Sequence, residues 1–385
     1  MSIDKITPLD TFVSNDAPIC YGILKPGDHY KHGIPVIKVK NIVGGKILED
    51  DLLKTTPEIH AQYKRAEVKE GDILLTIRGT TGRVAIVPNS LNGANITQDT
   101  ARIRVSSNDD SLYIFYALQS FNVQQQITLN TVGQAVKGIN IAEVKKLKIY
   151  HPILDEQKKI AQILSTWDQA ILTTEKLLEN SQQQKKALMQ QLLTGKKRLL
   201  DENGRSFSEQ WQSGHLVDIA KISKGKALSS KDLKSGSYPV IAGGKTSPYT
   251  HSEYTHENVI TVSASGAYAG YVAFYPYKIW ASDCSVVSNK IGSDISFIYQ
   301  LLISMQTIIY SLQSGGAQPH IYPKDIESLK VFIPPLVEQQ KIAKVFAVVD
   351  QEVDTLQKKL ECLKQEKKAL MQQLLTGKKR VKVVV

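Results

Sequence analysis

Residues 185–198 read KKALMQQLLTGKKR, and residues 367–380 read the same fourteen letters. The offset of 182 holds without a gap back to Gly133 against Gly315. In that register Pro152, Glu156, Gln157, Ile160 and Ala161 match Pro334, Glu338, Gln339, Ile342 and Ala343. Chance does not produce this, so the chain is one unit written twice. A period this long excludes short solenoid repeats and implies two copies of a domain followed by a segment.

The repeated segment reads as a long helix. Pro152 and Pro334 stand just upstream, where a helix can start but not continue through. The first copy places Ile160, Leu164, Trp167, Ile171, Thr174, Leu178, Ser181, Lys185, Leu188 and Leu192 at alternating spacings of four and three. The second places Ile342, Phe346, Val349, Val353, Leu356, Leu360, Leu363, Lys367, Leu370 and Leu374 on the same positions. This is a heptad stripe sustained for more than four heptads. Gly195 and Gly377 follow as stops, with Lys196, Lys197, Arg198 and their equivalents suited to a C-terminal dipole. About 40 residues at 1.5 Å each make a rod of roughly 60 Å. An ordinary amphipathic surface helix explains one such stripe poorly and two in one register worse.

Between the rods the chain changes character. Short β-branched runs at 34–39, 72–77, 84–87 and 101–105 are punctuated by Gly44-Gly45, Gly79, Gly82 and Asn92-Gly93. The runs at 238–241, 258–262, 271–275 and 284–287 repeat the theme, and each half adds one helical pattern, at 111–126 and 295–312. The expected fold class is α+β: two mainly-β domains, each followed by a long helix. The helices are expected to pack as an antiparallel coiled coil with pseudo-twofold symmetry. The boundaries read as 1–150 for the first domain, 151–199 for its helix, 200–334 for the second domain and 335–385 for its helix, with 199–212 as a polar hinge.

Composition excludes several classes. At 42% hydrophobic and 22% charged the chain is not disordered. Cys20, Cys284 and Cys362 are too scattered for a disulfide framework or a thiolate zinc site. No apolar run approaches the ~18 residues of a membrane span, and the N-terminus lacks a signal-peptide pattern, so a cytoplasmic location is expected. The net charge of +11 favours a polyanionic partner. That excess is uneven: residues 1–150 carry 18 basic against 15 acidic side chains, whereas residues 201–334 carry 11 of each.

Enzymatic motifs fail. Gly243-Gly244-Lys245-Thr246 resembles the tail of a phosphate loop, but Pro239 stands where the first glycine belongs. The Gly266 to Gly270 stretch is not GxGxxG, and neither a base-methylation motif nor an H-x-E paired with C-x-x-C occurs. His251 and His256 have no companion in ligand spacing and read as solvated. Asp325 and Glu327 read as helix-entry surface charge. The isolated chain is therefore expected to have no nuclease, ATPase or methyl-transfer activity, no metal, and no cofactor of its own.

What remains is a binding inventory. Lys38, Lys40 and Asn41 precede a Gly-Gly turn, and Arg78, Thr80, Thr81 and Arg83 surround Gly79 and Gly82. In the second half Ser265 and Tyr268 hold the corresponding place, with Lys224, Lys226 and Lys245 before them. Lys137 and Gln318, in the shared region after Gly133 and Gly315, join the set. Arg suits guanine, Asn and Gln suit adenine, and Lys suits phosphate. Plain β-turns with solvated charges explain any one of these residues equally well; as a set they favour nucleic acid.

At this point the chain resembles a known family, the specificity subunits of type I restriction–modification systems. The resemblance rests on the region 133–147, on KIYHPILDEQKKIA leading into the first rod, on IPPLVEQQKIA in the second pass, and on the repeated MQQLLTGKKR. His151-Pro152-Ile153 replaces a proline pair in the first copy without threatening a helix entry. The resemblance implies two target-recognition domains, each reading half of an asymmetric bipartite duplex DNA site, and helices that set the gap. It implies a non-catalytic subunit that recruits two methyltransferase (modification) subunits and, through them, restriction subunits. S-adenosylmethionine, ATP and Mg then belong to those partners. Glu156-Gln157, Glu338-Gln339 and the tails 188–193 and 370–375 match the family pattern. Leu188, Leu192, Leu370 and Leu374 are expected in or beside the partner interface, because two helices leave part of each apolar stripe uncovered. The competing reading, favoured by the neutral second domain, is a coiled-coil scaffold that binds protein without recognising DNA.

Overall fold

The computed structural model describes residues 5–134, 137–316 and 318–382. The chain divides into two compact units, one of Met1–Thr173 with Lys359–Val385 and one of Thr174–Lys358. The division falls inside both long helices rather than at their ends. Each unit holds one sheet domain, the first part of the helix that follows it, and the last part of the other helix.

In chain order the first half contains β1 (Lys5–Pro8), β2 (Cys20–Tyr21), β3 (Ile34–Ile37), β4 (Ile42–Val43), β5 (Lys46–Ile47), β6 (Leu53–Thr55) and α1 (Pro57–Gln62). It continues through β7 (Ile73–Thr76), β8 (Val84–Ile86), β9 (Asn95–Ile96), β10 (Thr100–Ile103), α2 (Ser111–Gln119), α3 (Phe121–Leu129), α4 (Ile141–Lys145), β11 (Lys148–His151) and α5 (Leu154–Leu192). An antiparallel sheet of order β2-β10-β7-β8 lies beside a three-stranded sheet β6-β3-β9, in which β3 and β9 run parallel. β1 pairs with β11 and brings the start of the domain to the entrance of α5.

The second half repeats this plan with β12 (Gln212–His215), α6 (Leu216–Ile219), β13 (Ala220–Lys224), β14 (Tyr238–Ile241), β15 (Thr250–His251), β16 (Val259–Ser263), β17 (Val272–Tyr275), β18 (Trp280–Ala281) and β19 (Cys284–Asn289). α7 (Ile295–Ser304), α8 (Gln306–Ser311), α9 (Pro323–Glu327), β20 (Lys330–Ile333) and α10 (Leu336–Leu374) complete it. The sheets are β13-β19-β16-β17 and β15-β14-β18, with β12 paired to β20. The single helical pattern expected in each half is two helices. Ser120, extended at ψ 149°, stops α2 and its hydroxyl caps α3 by accepting from Val123 N at 3.4 Å. Met305, at φ −96° and ψ 9° and with no side-chain cap, breaks α7 from α8 at the corresponding place.

Each unit closes over helix residues from both passes. In the first unit Ile160 and Leu164 of α5 and Leu374 of α10 share a core with Phe12, Tyr113 and Leu118. In the second, Leu192 of α5 and Ile342 and Phe346 of α10 pack with Phe297, Leu301 and Leu302. The partners show the helices running antiparallel within each unit. Glu156 at the start of α5 meets Arg380 beyond the end of α10, at 2.6 Å, and Arg198 meets Glu338 at 2.6 Å. Further along, Lys367 pairs with Asp168 and Lys185 with Asp350, both at 2.5 Å.

These pairs explain the repeated letters. Glu156 and Glu338 are 1% and 0% exposed, so each needs a cation, and the arginine of the GKKR tail supplies it. Burial pushes the Glu156 carboxyl up, but Arg380 and the Val381 amide more than offset that and hold it below its ordinary value. Glu338 also accepts from Trp211 Nε1 at 2.9 Å, and it raises the Arg198 guanidinium pKa. Gln157 and Gln339 do a second job. Their Oε1 atoms accept from Asp110 N at 2.9 Å and Asp294 N at 3.0 Å, the residues whose carboxylates cap α2 and α7. Gly195 and Gly377 have φ +70° and +73°, where a side chain is strained, and a Cβ would crowd the Trp211 ring at Gly195 and collide with the Tyr150 ring at Gly377.

One expectation is corrected here. Leu192 and Leu374 are 1% and 3% exposed and belong to the unit cores, with Leu188 and Leu370 half-buried against them. Leu192 and Leu374 therefore hold the unit cores together and are not an open face. Thr174 and Ser181, polar members of the stripe, are buried too; the Ser181 hydroxyl donates to Glu352 at 3.0 Å. Among the described residues no helix is long and apolar enough to cross a membrane.

Candidate nucleic-acid interface

In each unit five segments are laced together at one end of the larger sheet. In the first unit the centre is the β7–β8 turn. Gly82 N donates to Thr76 O at 2.9 Å, and the Thr76 hydroxyl donates to Thr80 O at 2.6 Å while accepting from Arg83 N at 2.9 Å. On one side Ile77 N and Arg78 N donate to Asp99 O at 2.8 and 3.3 Å, and Gln98 N donates onward to Ile23 O at 2.9 Å. On the other, Gly79 N donates to Lys137 O at 2.9 Å. Arg83 Nη1 reaches Ile42 O at 3.1 Å and Val39 O at 3.4 Å, tying in the loop after β3.

The second unit repeats the lacing around the β16–β17 turn. Gly270 N donates to Ser263 O at 2.7 Å, Ala264 N to Asp283 O at 3.2 Å, and Gly266 N to Pro319 O at 3.1 Å. Gly225 N and Lys226 N each donate at 2.8 Å, to Cys284 O and Ala281 O, and Ser282 N donates to Ile241 O at 2.7 Å. A glutamine pins each turn: Gln124 Nε2 donates to Gly82 O at 2.9 Å, and Gln306 Nε2 donates to Gly270 O at 2.7 Å. Gly82 and Gly270 have φ +87° and +88°, where a side chain would be strained.

On this common frame the side chains differ. Arg78, Thr80, Arg83 and Lys137 are exposed in the first unit, with Thr81 half-buried and its hydroxyl 3.5 Å from that of Thr131. Arg78 also holds Gln98 Oε1 at 3.1 Å. Lys38 is half-buried, and the exposed Lys40 is paired with Asp51, whose carboxyl it holds below the ordinary value. In the second unit Lys224, Lys226, Lys245, Tyr268 and Gln318 are exposed, and the half-buried Ser265 donates to Asp283. Lys245 Nζ lies 5.3 and 5.5 Å from the ring centroids of Tyr268 and Tyr271, and Lys226 Nζ lies 5.1 Å from that of Trp280. Where the first unit offers guanidinium groups, the second offers lysines on aromatic faces.

Two sequence readings change, those of Asn41 and His251. Asn41 is buried: its Oδ1 accepts from Lys38 N at 3.0 Å and its Nδ2 donates to Leu48 O and Asp51 O at 3.5 and 3.4 Å, so it shapes its loop and offers nothing to a base. The Gly243-Gly244-Lys245-Thr246 stretch lies over the hairpin tip, where a Cβ on Gly243 would come within 2.8 Å of Ser265 O. His251 is buried rather than solvated; its Nδ1 accepts from Lys234 N at 3.0 Å and its ring meets Trp280 at 4.6 Å. Among the described residues no cluster could hold a metal ion. Cys284 is an unreactive thiol, since burial pushes it up to about 12. Gln98, Asp99, Asn140 and Asp283 escaped the sequence reading, because nothing local marks a loop residue as lying beside a hairpin distant in sequence.

A duplicated scaffold that presents one frame with two sets of polar side chains is a recognition protein. The chain belongs to the family of the type I restriction modification DNA specificity domain, whose model matches residues 24–181 and 208–365. It is 29% identical to the putative type I restriction enzyme MjaX specificity subunit of Methanocaldococcus jannaschii, over 91% of this chain and 88% of that one. It is 31% identical to the type I restriction enzyme EcoBI specificity subunit of Escherichia coli, over 58% of this chain and 46% of that one. The crystal structure of a type I restriction–modification S subunit from M. genitalium superposes with TM-score 0.67 at 18% identity, covering 97% of both chains. The protein is thus a DNA sequence-specificity subunit and not a catalytic one, and the protein-only scaffold reading finds no support.

Proposed function

We propose that the chain reads an asymmetric, two-part duplex DNA site, the first unit's loop cluster reading one part and the second unit's cluster the other. The observation that carries this reading is one hydrogen-bonded frame furnished differently, with Arg78, Arg83 and Lys137 in one unit and Lys245, Tyr268 and Gln318 in the other. Different donors on the same frame select different bases, so the two parts of the site differ. α5 and α10, 39 residues each, would fix the gap between them. Two modification subunits, carrying S-adenosylmethionine, and restriction subunits, using ATP and Mg, would assemble on the chain in the cytoplasm. With Leu192 and Leu374 buried, the exposed Leu172 and Leu177 of α5 and Leu336, Val337 and Val348 of α10 are apolar positions that those partners would cover.

Mapping methylated adenines in DNA exposed to the assembled complex tests the reading. Four residues inserted near Lys176 add about one turn, ~6 Å, close to two base pairs of rise. The insertion variant should keep both half-sites and change only the gap; an unchanged gap in an active variant rules out the helices as a ruler. Binding to random duplex DNA should weaken steeply with salt, as phosphate neutralisation requires. Salt-independent binding would count against DNA as the ligand.

A further inference from the structure

Asp99 and Asp283 occupy the same place in the two loop clusters, and both stand apart from the cationic set. Each main-chain oxygen accepts from the hairpin tip, Asp99 O from Ile77 N and Arg78 N and Asp283 O from Ala264 N. Asp99 lines an open cleft with Arg78, Gln98, Gly138 and Asn140. Among the described residues no hydrogen bond ties its carboxylate down, although Arg78 is engaged with the neighbouring Gln98. The Asp283 carboxylate accepts from the Ser265 hydroxyl, which fixes its direction and leaves lone pairs to spare.

A carboxylate here repels phosphate, whereas the surrounding Arg78, Arg83 and Lys137, or Lys245, attract it. Its natural partner on duplex DNA is a base amino group in the major groove. Asp and Glu accept from cytosine N4, and adenine N6 presents the same kind of donor. We propose that Asp99 and Asp283 are sequence-reading carboxylates, one for each half-site, each accepting a hydrogen bond from an exocyclic base amino group. Ser265 is the positioning residue for Asp283. This rests on the DNA-reading function proposed above.

The test is selection of bound duplexes from a randomised library by the full chain assembled with its modification subunits. Asp99→Ala should relax one base pair in one half-site, with discrimination there falling about 5- to 150-fold and every other position kept, and Asp99→Asn, whose amide keeps one acceptor oxygen but adds a donor, should change the base preferred at that same pair. Asp283→Asn and Asp283→Ala should do the same in the other half-site. A relaxed C·G pair assigns the cytosine amino group, and a relaxed A·T pair the adenine one. An unchanged consensus, a uniform loss across all sequences, or relaxation in both half-sites from one substitution overturns the proposal. The Asn variants keep side-chain volume, so the test stands even where an Ala variant misfolds. A wild-type complex that selects no consensus overturns the DNA-reading function instead, so the two failures are distinct.

Discussion

The β7–β8 turn and the β16–β17 turn have the same backbone connections and almost no side chain in common. Both are pinned by a glutamine at the start or within the second helix of a pair, both lean on a turn aspartate, and both receive the loop that follows Gly133 or Gly315. Yet Arg78 in one corresponds by its bridge to Gly138 with Ser265, bridged to His320, in the other. Where the two copies agree, the reason is mechanical: a buried carboxylate requires its arginine, and a left-handed backbone position requires glycine. Where they disagree, most of the side chains face outward, and those with a local tie, such as Arg83 to the Val39 and Ile42 carbonyls and Ser265 to Asp283, brace only their own loop cluster. The comparison separates what two domains need in order to stand from what each needs in order to select.

The largest effects should come from the shared parts. Leu192→Ala and Leu374→Ala should each destabilise the protein by about 2–5 kcal/mol, because each vacates a closed core. Thermal unfolding followed by circular dichroism reads this out; changes below about 1 kcal/mol would return these leucines to an exposed interface. Next come Arg198→Ala and Arg380→Ala, which strand the buried carboxylates of Glu338 and Glu156. About 3 kcal/mol is expected for the former. The latter should cost less, since the Arg380 side chain is 45% exposed against 29% for Arg198. Equal and negligible losses in denaturant titrations would show that the repeated tail is not an anchor.

Smaller and more selective effects belong to the divergent parts. Arg78→Ala should cost about 1–3 kcal/mol at one base position if it contacts a base, and alter only one half of the recognised sequence. Lys245→Ala should act only through the other half or weaken all sequences alike. Methylation mapping distinguishes these outcomes, and simultaneous change in both halves from either variant would break the division of labour. The smallest effect is on pH dependence. Because the Glu156 carboxyl is held below its ordinary 4.5, its contribution is present above that pH and is lost as pH falls through the folded-state value. Acid unfolding of Arg380→Ala should therefore show a shallower loss of stability below pH 4.5 than wild type, and parallel curves would refute the linkage.

Much of the architecture was legible in the letters themselves. The duplicated KKALMQQLLTGKKR and the prolines upstream delimited both rods, since heptad spacing and helix stops are local properties. The glycines at the turn tips were legible for the same reason: a backbone angle forbidden to other residues is recorded in the residue itself. Partnerships were not. Nothing beside Leu192 or Leu374 in the sequence says that a sheet domain folds over it, so an apolar stripe read as an open interface when it is a core. Asn41 read as a base reader because its chemistry suits adenine, and only the loop around it shows that its amide is already engaged. The sequence by itself determined the duplication, the rods and the turns, because repeats, periodicity and glycine act at short range. The tertiary structure decided which stripe is covered, which carboxylate is anchored and which stays open, because burial and hydrogen-bond partners come from residues distant along the chain.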